Sequence, residues 1–590
     1  MAALPVGVLG FANAGRADVV ADVNAQLLNI IQNTSGALID GPPNVAREIA
    51  MVDGAMFDAI NAASGAPKQS LYYAGGAVAN ADVQAAALSA AYNTMQSLYG
   101  AGSLYATQAG HTITYNSQTL QVAPNATQYA AITAAVAAVG TELSSLTAST
   151  AVTNGTALGA AAATAMTTAR ATDGGTAAML STLTAPYQGP STPGTYVTPS
   201  GRPPLEPTAG SVTPFVINQT QQNALVATVP GPPAIASAAY GNQVLQTACQ
   251  GSSGALTANL IAACQAAGLK PQTAAQAQSA LYWNDPGGTY QPPGHLLQIA
   301  DTAAASTGLS LLQHAQEDAL VGAAMSDAGA AAWTVKFADN RWRPITAIQD
   351  CTDNWSTYFT TCDASWNSLI ATPPHPDYLA GHPAFSGAAA TVLDNFFGTD
   401  AIPFTVSSQA YCNGGSTTRD ASGNIIACTT GTKVFSLNNA SSLAFCAGAG
   451  GTATLDGGGN VTACTVGATV LTVNTGECNN AGTQAPLNAD FTVNANYNGS
   501  PLICPISESF SGFQAASSGD LGSTFSRVVG GIHTPQAVTD ALALGNQIGE
   551  AVSSQADIPE PGPLALLTVS LAMLGLARHR GSALAVFARR

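Results

Sequence analysis

Three short segments hold the residues that could do chemistry: Lys336-x6-Arg343-Pro344, Gly381-His382, and Ser526-Arg527-x5-His533. The chain has only 16 Lys plus Arg and 7 His in 590 residues, so these segments concentrate side chains that are rare elsewhere. Arginine offers a planar fork of N–H donors, lysine offers a compact charge, and glycine lets a backbone N–H approach an anion closely. Together these residue types predict one site that holds a tetrahedral oxyanion.

The two histidines of these segments, His382 and His533, supply reactivity that the cations lack. One imidazole can attack or coordinate the central atom of an oxyanion, while the other acts as a general acid or base near neutral pH. A plainer interpretation is that Lys336 and Arg343, seven residues apart, align on one solvated helix face without any ligand. The third segment, which follows in order downstream, favours the oxyanion site over that alternative.

The order and spacing of the three segments resemble those of the vanadium-dependent haloperoxidases of the phosphatidic acid phosphatase type 2 superfamily. That family has Lys-x6-Arg-Pro, Pro-Ser-Gly-His and Ser-Arg-x5-His, and the first and third motifs are intact in this chain. The second reads Leu379-Ala380-Gly381-His382, so the family's proline and serine are both replaced. The resemblance covers residues 280–400 and 505–550, and it implies an all-α fold of helical bundles.

The resemblance also implies a role for each site residue. The cofactor would be vanadate, held by Lys336, Arg343, Gly381 (through its backbone N–H), His382, Arg527 and His533. His533 would be the axial vanadium ligand, His382 the acid–base partner, and Lys336 the third catalytic residue. The implied reaction oxidises a halide with hydrogen peroxide to a hypohalous species, with an organic acceptor as a further partner. His375 stands where algal bromoperoxidases have histidine, which favours bromide or iodide.

Two other functions stay open. A phosphomonoesterase of the acid phosphatase type would use the same residues, with His533 as nucleophile in a phospho-histidine intermediate and His382 protonating the leaving group. Alternatively, the chain is an exported surface or matrix protein that keeps a degenerate site. Ala380 permits this last alternative, because losing one hydrogen bond to a charged group costs about 1.5–3 kcal/mol and predicts weaker cofactor binding or altered reactivity.

Composition excludes some partners and indicates export. The net charge of −16 argues against nucleic acid, and no segment between residues 20 and 555 is a long apolar span of the kind that membrane lipid phosphatases need. Only 8% of the residues are charged, and the ten cysteines predict a disulfide framework. Cys249/Cys264 and Cys351/Cys362 are candidate local bridges.

Both ends of the chain indicate export in a Gram-negative bacterium, to the periplasm, the cell surface or the extracellular matrix. Residues 1–17 are apolar with a small-x-small pattern at 12–14, which is interpreted as a signal-peptide remnant. Residues 557–590 contain Pro-Glu-Pro, a short apolar run and a basic cluster, and they resemble a PEP-CTERM sorting tail. Such a tail implies an exosortase-type processing enzyme and transient membrane anchoring. Homo-oligomerisation is left open.

Between these ends the chain divides into a helical core and one insertion. Residues 18–400 and 506–556 have apolar residues at helical spacing and predict packed helices, the last part carrying the third motif. Residues 401–505 predict a β-rich insertion, because they contain a repeat in which two cysteines flank a Gly-Asn turn. The repeat predicts two similar β-hairpins, tied by Cys412–Cys428 and Cys446–Cys464, with Cys478 and Cys504 closing the insertion.

Several individual helices are predicted, together with a loop at Asp285–Gly294. The helices are Val45–Ala63, Ala79–Tyr99, Gln128–Leu146, two within Gly294–Lys336, Phe385–Phe397 and Thr534–Ser553. The helix Phe385–Phe397 would place its positive N-terminal end beside the anion. His314 and Asp318 lie four residues apart in a helical pattern, and they are interpreted as a local pair rather than as metal ligands.

Overall fold

The computed structural model describes residues 18–184, 192–198, 201–408, 416–419, 425–430, 433–436, 439–474, 486–494 and 507–555. The predicted signal-peptide remnant and sorting tail lie outside these residues, as do Cys412, Cys478 and Cys504. In the part of the chain that the structure describes, no helix combines the length and the apolar composition that crossing a membrane requires.

Helices make up most of the described chain, and the predicted all-α core with a small β-rich, disulfide-containing insertion is confirmed. The helices of the first half are α1 (Val19–Thr34), α2 (Pro42–Ala63), α3 (Val83–Tyr99), α4 (Leu104–Thr107), α5 (Ala126–Ser145), α6 (Thr150–Arg170), α7 (Gly175–Thr184), α8 (Gln219–Val226), α9 (Ala238–Gln250), α10 (Ala258–Ala266) and α11 (Ala274–Tyr282). Those of the second half are α12 (Gln291–Thr307), α13 (Leu311–Asp339), α14 (Pro344–Gln349), α15 (Gly381–Phe397), α16 (Asn439–Gly448), α17 (Phe513–Ser518), α18 (Ser523–Val529) and α19 (Pro535–Gln555).

Capping residues and prolines decide where these helices begin. The side chain of Asp82 caps α3, so that helix begins at Val83 rather than at Ala79 as predicted. Helix α12 begins at Gln291 and includes prolines in its first turn. Proline is accepted there because the N–H group that it lacks has no intrahelical partner in the first turn of a helix. The loop predicted at Asp285–Gly294 is therefore shorter than predicted, and the other predicted helices are confirmed within a few residues of their ends.

Helix α13 runs through the centre of the core and is buried on almost every side. It packs most extensively against α2 and α15, and α15 packs in turn against α19. Small residues bring α15 and α19 close together, since a Cβ atom on Gly545 would lie 2.4 Å from the carbonyl oxygen of Ala384. This packing fixes His382, in the first turn of α15, relative to His533, which precedes α19.

The predicted repeat of the insertion forms one sheet with the strand order β4-β5-β6-β9-β8-β7. Its strands are β4 (Ser416–Arg419), β5 (Ile425–Thr430), β6 (Lys433–Ser436), β7 (Thr452–Leu455), β8 (Val461–Val466) and β9 (Thr469–Asn474). Strands β4 and β5, like β7 and β8, pair antiparallel, so both predicted hairpins are confirmed. A parallel pairing of β6 with β9 joins the two repeats into one sheet.

The disulfide bonds among the described residues join the predicted cysteine pairs, but one of them connects different secondary-structure elements from those expected. Cys249–Cys264, Cys351–Cys362 and Cys446–Cys464 are bonded. Cys446 belongs to helix α16 and not to a hairpin strand, so its bond ties α16 to β8. The expectation that this bridge closes the hairpin itself is wrong, because the strand partner of Cys464 in β7 is Ala453.

Four further strands lie outside the six-stranded sheet. The hairpin of β1 (Thr112–Tyr115) and β2 (Gln118–Gln121) turns at two residues with positive φ, and it was not predicted within the helical first half. Strand β3 (Phe404–Ser407) pairs antiparallel with β10 (Ser507–Phe510). Because β3 lies at the start of the insertion and β10 directly follows its end, this pair joins the two ends of the insertion to the helical core.

Candidate active site

The residues of the three sequence motifs come from five different places in the helical core. Lys336 lies near the end of α13, Arg343 caps the start of α14, and Gly381 and His382 form the first turn of α15. Arg527 lies in α18, and His533 precedes α19. Lys336, Arg343 and Arg527 are each 0% exposed. Helix α13 ends at Asp339, so the interpretation that places Lys336 and Arg343 on one solvated helix face is wrong.

Arg343 makes the largest set of contacts in the site. Its Nε donates to the carbonyl oxygen of His375 at 2.6 Å, and one terminal nitrogen donates to Nδ1 of the same histidine at 2.9 Å. The other terminal nitrogen donates to the carbonyl oxygen of Ile532 at 2.6 Å and to Nε2 of His533 at 2.9 Å. Because a guanidinium only donates, both histidine nitrogens must be acceptors, which makes both rings neutral.

The second ring nitrogen of His533 is held by a carboxylate that the sequence motifs do not include. Its Nδ1 donates to Oδ1 of Asp377 at 2.7 Å, and the Thr534 hydroxyl donates to Oδ2 of Asp377 at 2.7 Å. Burial and the cations Arg343 and Lys336 hold the pKa of His533 well below its usual range. The Asp377 carboxylate therefore keeps the proton on Nδ1, and Nε2 is an acceptor whose lone pair receives the Arg343 N–H in this structure.

Lys336 fixes the loop that carries Asp377. Its ammonium donates to the carbonyl oxygen of Pro376 at 2.8 Å and to that of Leu379. These partners are dipoles without net charge, so they satisfy the donors but do not neutralise the cation. Burial and the neighbouring Arg343 accordingly lower the pKa of Lys336 well below its ordinary value.

His382 has its own carboxylate partner, Asp285, which the sequence analysis placed only within a loop. Nε2 of His382 lies 3.6 Å from Oδ2 of Asp285 and 3.5 Å from a terminal nitrogen of Arg527. Burial and the Arg527 cation outweigh the carboxylate and lower the pKa of His382 to about 4. Asp285 also accepts from His295 at 3.1 Å, and although burial alone would raise its pKa, the two imidazoles bring it below the ordinary value. His295 was not among the predicted site residues. It is buried, and its contact with Asp285 holds the carboxylate that lies beside His382.

A short relay of contacts joins this pair to the base of the insertion. Nε2 of His295 lies 3.1 Å from the hydroxyl oxygen of Tyr282, and that hydroxyl donates to the carbonyl oxygen of Val406 at 3.1 Å. Val406 belongs to β3, the first strand of the insertion. The insertion therefore leaves the helical core two side chains away from the Asp285–His382 pair.

The Gly381-His382 motif occupies the first turn of α15, four residues earlier than the helix start predicted at Phe385. The helix N-cap is Ala380, whose methyl group makes no capping hydrogen bond. A Cβ on Gly381 would lie 3.2 Å from the ring of Trp333, so glycine permits the close contact between this turn and α13. The N–H groups of a first helical turn point toward the N-terminal end and favour an anion there.

These residues surround a cavity of about 230 Å³. Among the residues that the structure describes, its lining includes His375, Gly381, His382 and His533, together with apolar side chains such as Trp333. Lys336, Arg343 and Arg527 are not part of that lining. Two of them are still one hydrogen-bond distance from it, because Arg343 contacts His533 and Arg527 contacts His382. The structure thus brings all the predicted site residues together, with the histidines facing the cavity and the cations beside them.

The charges of this region indicate an anion site. Three buried cations stand against the carboxylates of Asp285 and Asp377, and Asp285 is shared between two histidines. Burial lowers the pKa of Arg343 to about 10 and that of Arg527 to about 9, although the carboxylates of Asp377 and Asp285 act in the opposite direction. A tetrahedral oxyanion carries the missing negative charge and accepts several N–H donors at once. The donor set therefore fits vanadate or phosphate.

Comparison with known proteins identifies the fold. Residues 317–440 match the model of the "VCPO second helical-bundle domain". The structure aligns with a bacterial vanadium-dependent iodoperoxidase over 91% of this chain and 96% of that chain, with a TM-score of 0.54 and 17% identity. The protein has the vanadium haloperoxidase fold. A holo-type bacterial vanadium-dependent chloroperoxidase aligns over 88% of this chain and 93% of that one, with a TM-score of 0.50 and 14% identity.

One curated relative matches a shorter part of the chain. It is the vanadium chloroperoxidase of Curvularia inaequalis, 28% identical over 138 residues. The match covers 21% of this chain and 23% of that enzyme. The fold thus extends over most of the chain, while the sequence similarity to this relative is confined to about a quarter of its length.

The neutral state of His382 predicts that the protein loses stability in acid. The folded pKa of about 4 lies below the unfolded value of 6.5, so between these values the unfolded chain binds a proton that the folded chain does not. The free energy of unfolding should fall as the pH falls through this window, by about 1–3 kcal/mol from His382 alone. Urea unfolding at about pH 7 and about pH 4.5 measures the slope.

The His382→Asn variant removes this titration and should show a shallower decrease of the unfolding free energy in acid. His111 is exposed, so His111→Asn is the matched control and should keep the slope of the unsubstituted protein. An unchanged slope in His382→Asn would show that this histidine is not held neutral by the folded state.

Proposed function

We propose that the protein is a vanadium-dependent haloperoxidase that oxidises a halide with hydrogen peroxide. The observation that carries this proposal is the state of His533, whose ring lines the cavity while Asp377 holds the proton on Nδ1, so that Nε2 would exchange its contact with Arg343 for a bond to vanadium. The fold, which matches two bacterial vanadium haloperoxidases, supports the same activity. Lys336, Arg343, Arg527 and the backbone N–H of Gly381 are the proposed donors to vanadate, and Nε2 of His533 is its proposed ligand.

Vanadate, when bound, supplies a Lewis acid that activates hydrogen peroxide toward halide. The three cations offset the charge of the anion inside a region from which water is largely excluded. His382, neutral above about pH 4, can take a proton from peroxide and return one to the product, and Asp285 stabilises the imidazolium that forms in between. Asp377 keeps the His533 ring fixed during these steps.

The proposed halide is bromide or iodide, and the proposed tuning residue is His375. Its ring lies against Trp333, with 5.1 Å between ring centroids, and its Nδ1 accepts from Arg343. His375 is therefore held neutral, and the burial of its ring and the repulsion of Lys336 and Arg343 keep its pKa well below the usual range. A pocket of neutral aromatic rings favours large, weakly hydrated halides over chloride, which loses more hydration on entry.

The turnover of the full chain tests this proposal against its two alternatives. We expect bromination and iodination of a phenolic dye by peroxide that require added vanadate, that inorganic phosphate suppresses, and that His533→Ala reduces by more than about 100-fold. His111→Ala, at an exposed histidine outside the site, is the matched control and should retain turnover.

Two other results would contradict the haloperoxidase function. Hydrolysis of p-nitrophenyl phosphate that vanadate inhibits, with no halide oxidation, would identify a phosphatase with a phospho-His533 intermediate. Neither activity in a protein that is folded would favour the surface or matrix protein with a degenerate site.

Ala380 offers a gain-of-function prediction at the position where the family has serine. Ala380→Ser adds a hydroxyl at the N-cap of α15, beside Gly381. A hydrogen bond to a charged group contributes about 1.5–3 kcal/mol, so we expect vanadate to bind about 10- to 100-fold more tightly, measured as the vanadate concentration that gives half-maximal turnover. Ala171→Ser, at an exposed alanine outside the site, is the control, and an equal change in both variants would contradict a specific hydroxyl–vanadate contact.

The compartment is also part of the proposal. The bridges Cys249–Cys264, Cys351–Cys362 and Cys446–Cys464 support an oxidising compartment outside the cytoplasm, where disulfides persist. Export through the N-terminal segment and processing of the C-terminal tail by an exosortase-type enzyme remain predictions from the sequence.

A further inference from the structure

A second buried polar cluster lies in the helical core, at a distance from the oxyanion site. The acidic cluster consists of Asp18, Asn24, Asp53, Asp301, His314, Glu317 and Asp318, which come from α1 and its N-cap, α2, α12 and α13. Asp318 and Lys336 share helix α13, and at 1.5 Å per residue the positions 318 and 336 are separated by about 27 Å. The two clusters are therefore separate.

His314 is the centre of the acidic cluster. Its Nδ1 lies 2.7 Å from Oδ2 of Asp18. Its Nε2 lies 3.1 Å from Oδ1 of Asp301 and 3.2 Å from Oδ2 of Asp318. The predicted contact between His314 and Asp318 is thus confirmed, with Asp301 of α12 as a third partner. One ligand atom from each of Asp301, His314 and Asp318 lies within 4.8 Å of the others.

The remaining acidic side chains give an independent indication that a ligand belongs in this cluster. Asp53 and Glu317 are each 0% exposed, and neither oxygen of either carboxylate accepts a hydrogen bond from any residue that the structure describes. Asp318 is also 0% exposed, and its Oδ1 is unpartnered in the same sense. Asp53 interacts electrostatically with Asp301 and Asp318, which places its carboxylate in the cluster.

The burial of this much negative charge needs compensation. Among the described residues, the ion pairs of Asp18, Asp301 and Asp318 are all made with the single imidazole of His314. An uncompensated buried carboxylate costs several kcal/mol, so the cluster must hold either extra protons or a cation.

We propose that His314, Asp301 and Asp318 bind a divalent metal ion. In this arrangement Nε2 of His314 exchanges its contacts with Asp301 and Asp318 for a bond to the metal. Asp18 orients the ring through its contact with Nδ1. Asp53 and Glu317, whose oxygens are unpartnered, add buried negative charge beside these three ligands. One imidazole nitrogen with several carboxylate oxygens suits Mn²⁺ or Zn²⁺, whereas Ca²⁺ prefers oxygen ligands alone.

The metal would act as a structural clamp in the helical core. Asp301 lies on α12 and Asp318 on α13, while Asn24 on α1 donates to both carboxylates at 2.9 Å. A cation bound by Asp301, His314 and Asp318 would join α12 to α13, the helix whose far end carries Lys336, while Asn24 holds α1 to both carboxylates through its hydrogen bonds. Asp18 is the most accessible member, with its side chain 41% exposed, and it marks the route by which an ion enters.

Calorimetric titration of the chelator-treated full chain with MnCl₂, ZnCl₂ and CaCl₂ tests this site. We expect one ion per chain, with Mn²⁺ or Zn²⁺ bound more tightly than Ca²⁺, and a rise in melting temperature on binding. His314→Gln and Asp318→Asn should weaken binding by more than about 100-fold, and Asp18→Asn by about 10- to 100-fold. Asp394→Asn, at a half-buried carboxylate of α15, is the matched control and should bind like the unsubstituted chain.

Two results would overturn the proposal. If the unsubstituted chain takes up none of the three ions, protons alone balance the cluster, and this result needs no variant to fold. If folded His314→Gln and Asp318→Asn bind the ion as tightly as the unsubstituted chain, the ion is held elsewhere. The readout is binding rather than turnover, so it does not depend on the proposed haloperoxidase activity.

Discussion

The candidate active site depends on one buried guanidinium. Arg343 donates to both the backbone and the ring of His375, and to the backbone before His533 and the ring of His533 itself. It thereby joins two loops that are distant in sequence and fixes both imidazoles as neutral acceptors. Its partners are carbonyl and imidazole groups without net charge, so the positive charge remains in the site. That remaining charge, together with Lys336 and Arg527, is what makes the cavity suitable for an oxyanion.

The helical scaffold holds the other components at fixed distances from this guanidinium. Helix α13 delivers Lys336 at its C-terminal end, and the tight packing of α15 on α19, which Gly545 permits, fixes the distance between His382 and His533. The first turn of α15 points free N–H groups toward the site. A carboxylate supports each histidine, Asp377 for His533 and Asp285 for His382. Rigid elements therefore position the chemistry, as a site with buried charges requires.

Much of the fold and of the site composition could be predicted from the sequence, and the exceptions have physical reasons. The motif residues were predictable because Lys, Arg and His are rare in this chain, which makes their ordered spacing informative. Asp377 and Asp285 were not, since carboxylates are more numerous and their pairing with histidines depends on contacts between distant segments. The start of α15 was placed four residues late, because an alanine N-cap gives no capping signal. The partner of Cys446 was predicted, but the helix that carries it was not.

The central claim is that the Asp377 carboxylate orients His533 so that its Nε2 can bind the centre of a tetrahedral oxyanion. Equilibrium titration of the metal-free chain with orthovanadate, comparing Asp377→Asn with the unsubstituted protein, tests this claim most directly. Loss of a carboxylate that orients a ligand histidine should weaken vanadate binding by about 10- to 100-fold while the protein stays folded. Equal affinity of the two proteins for vanadate would contradict the claim.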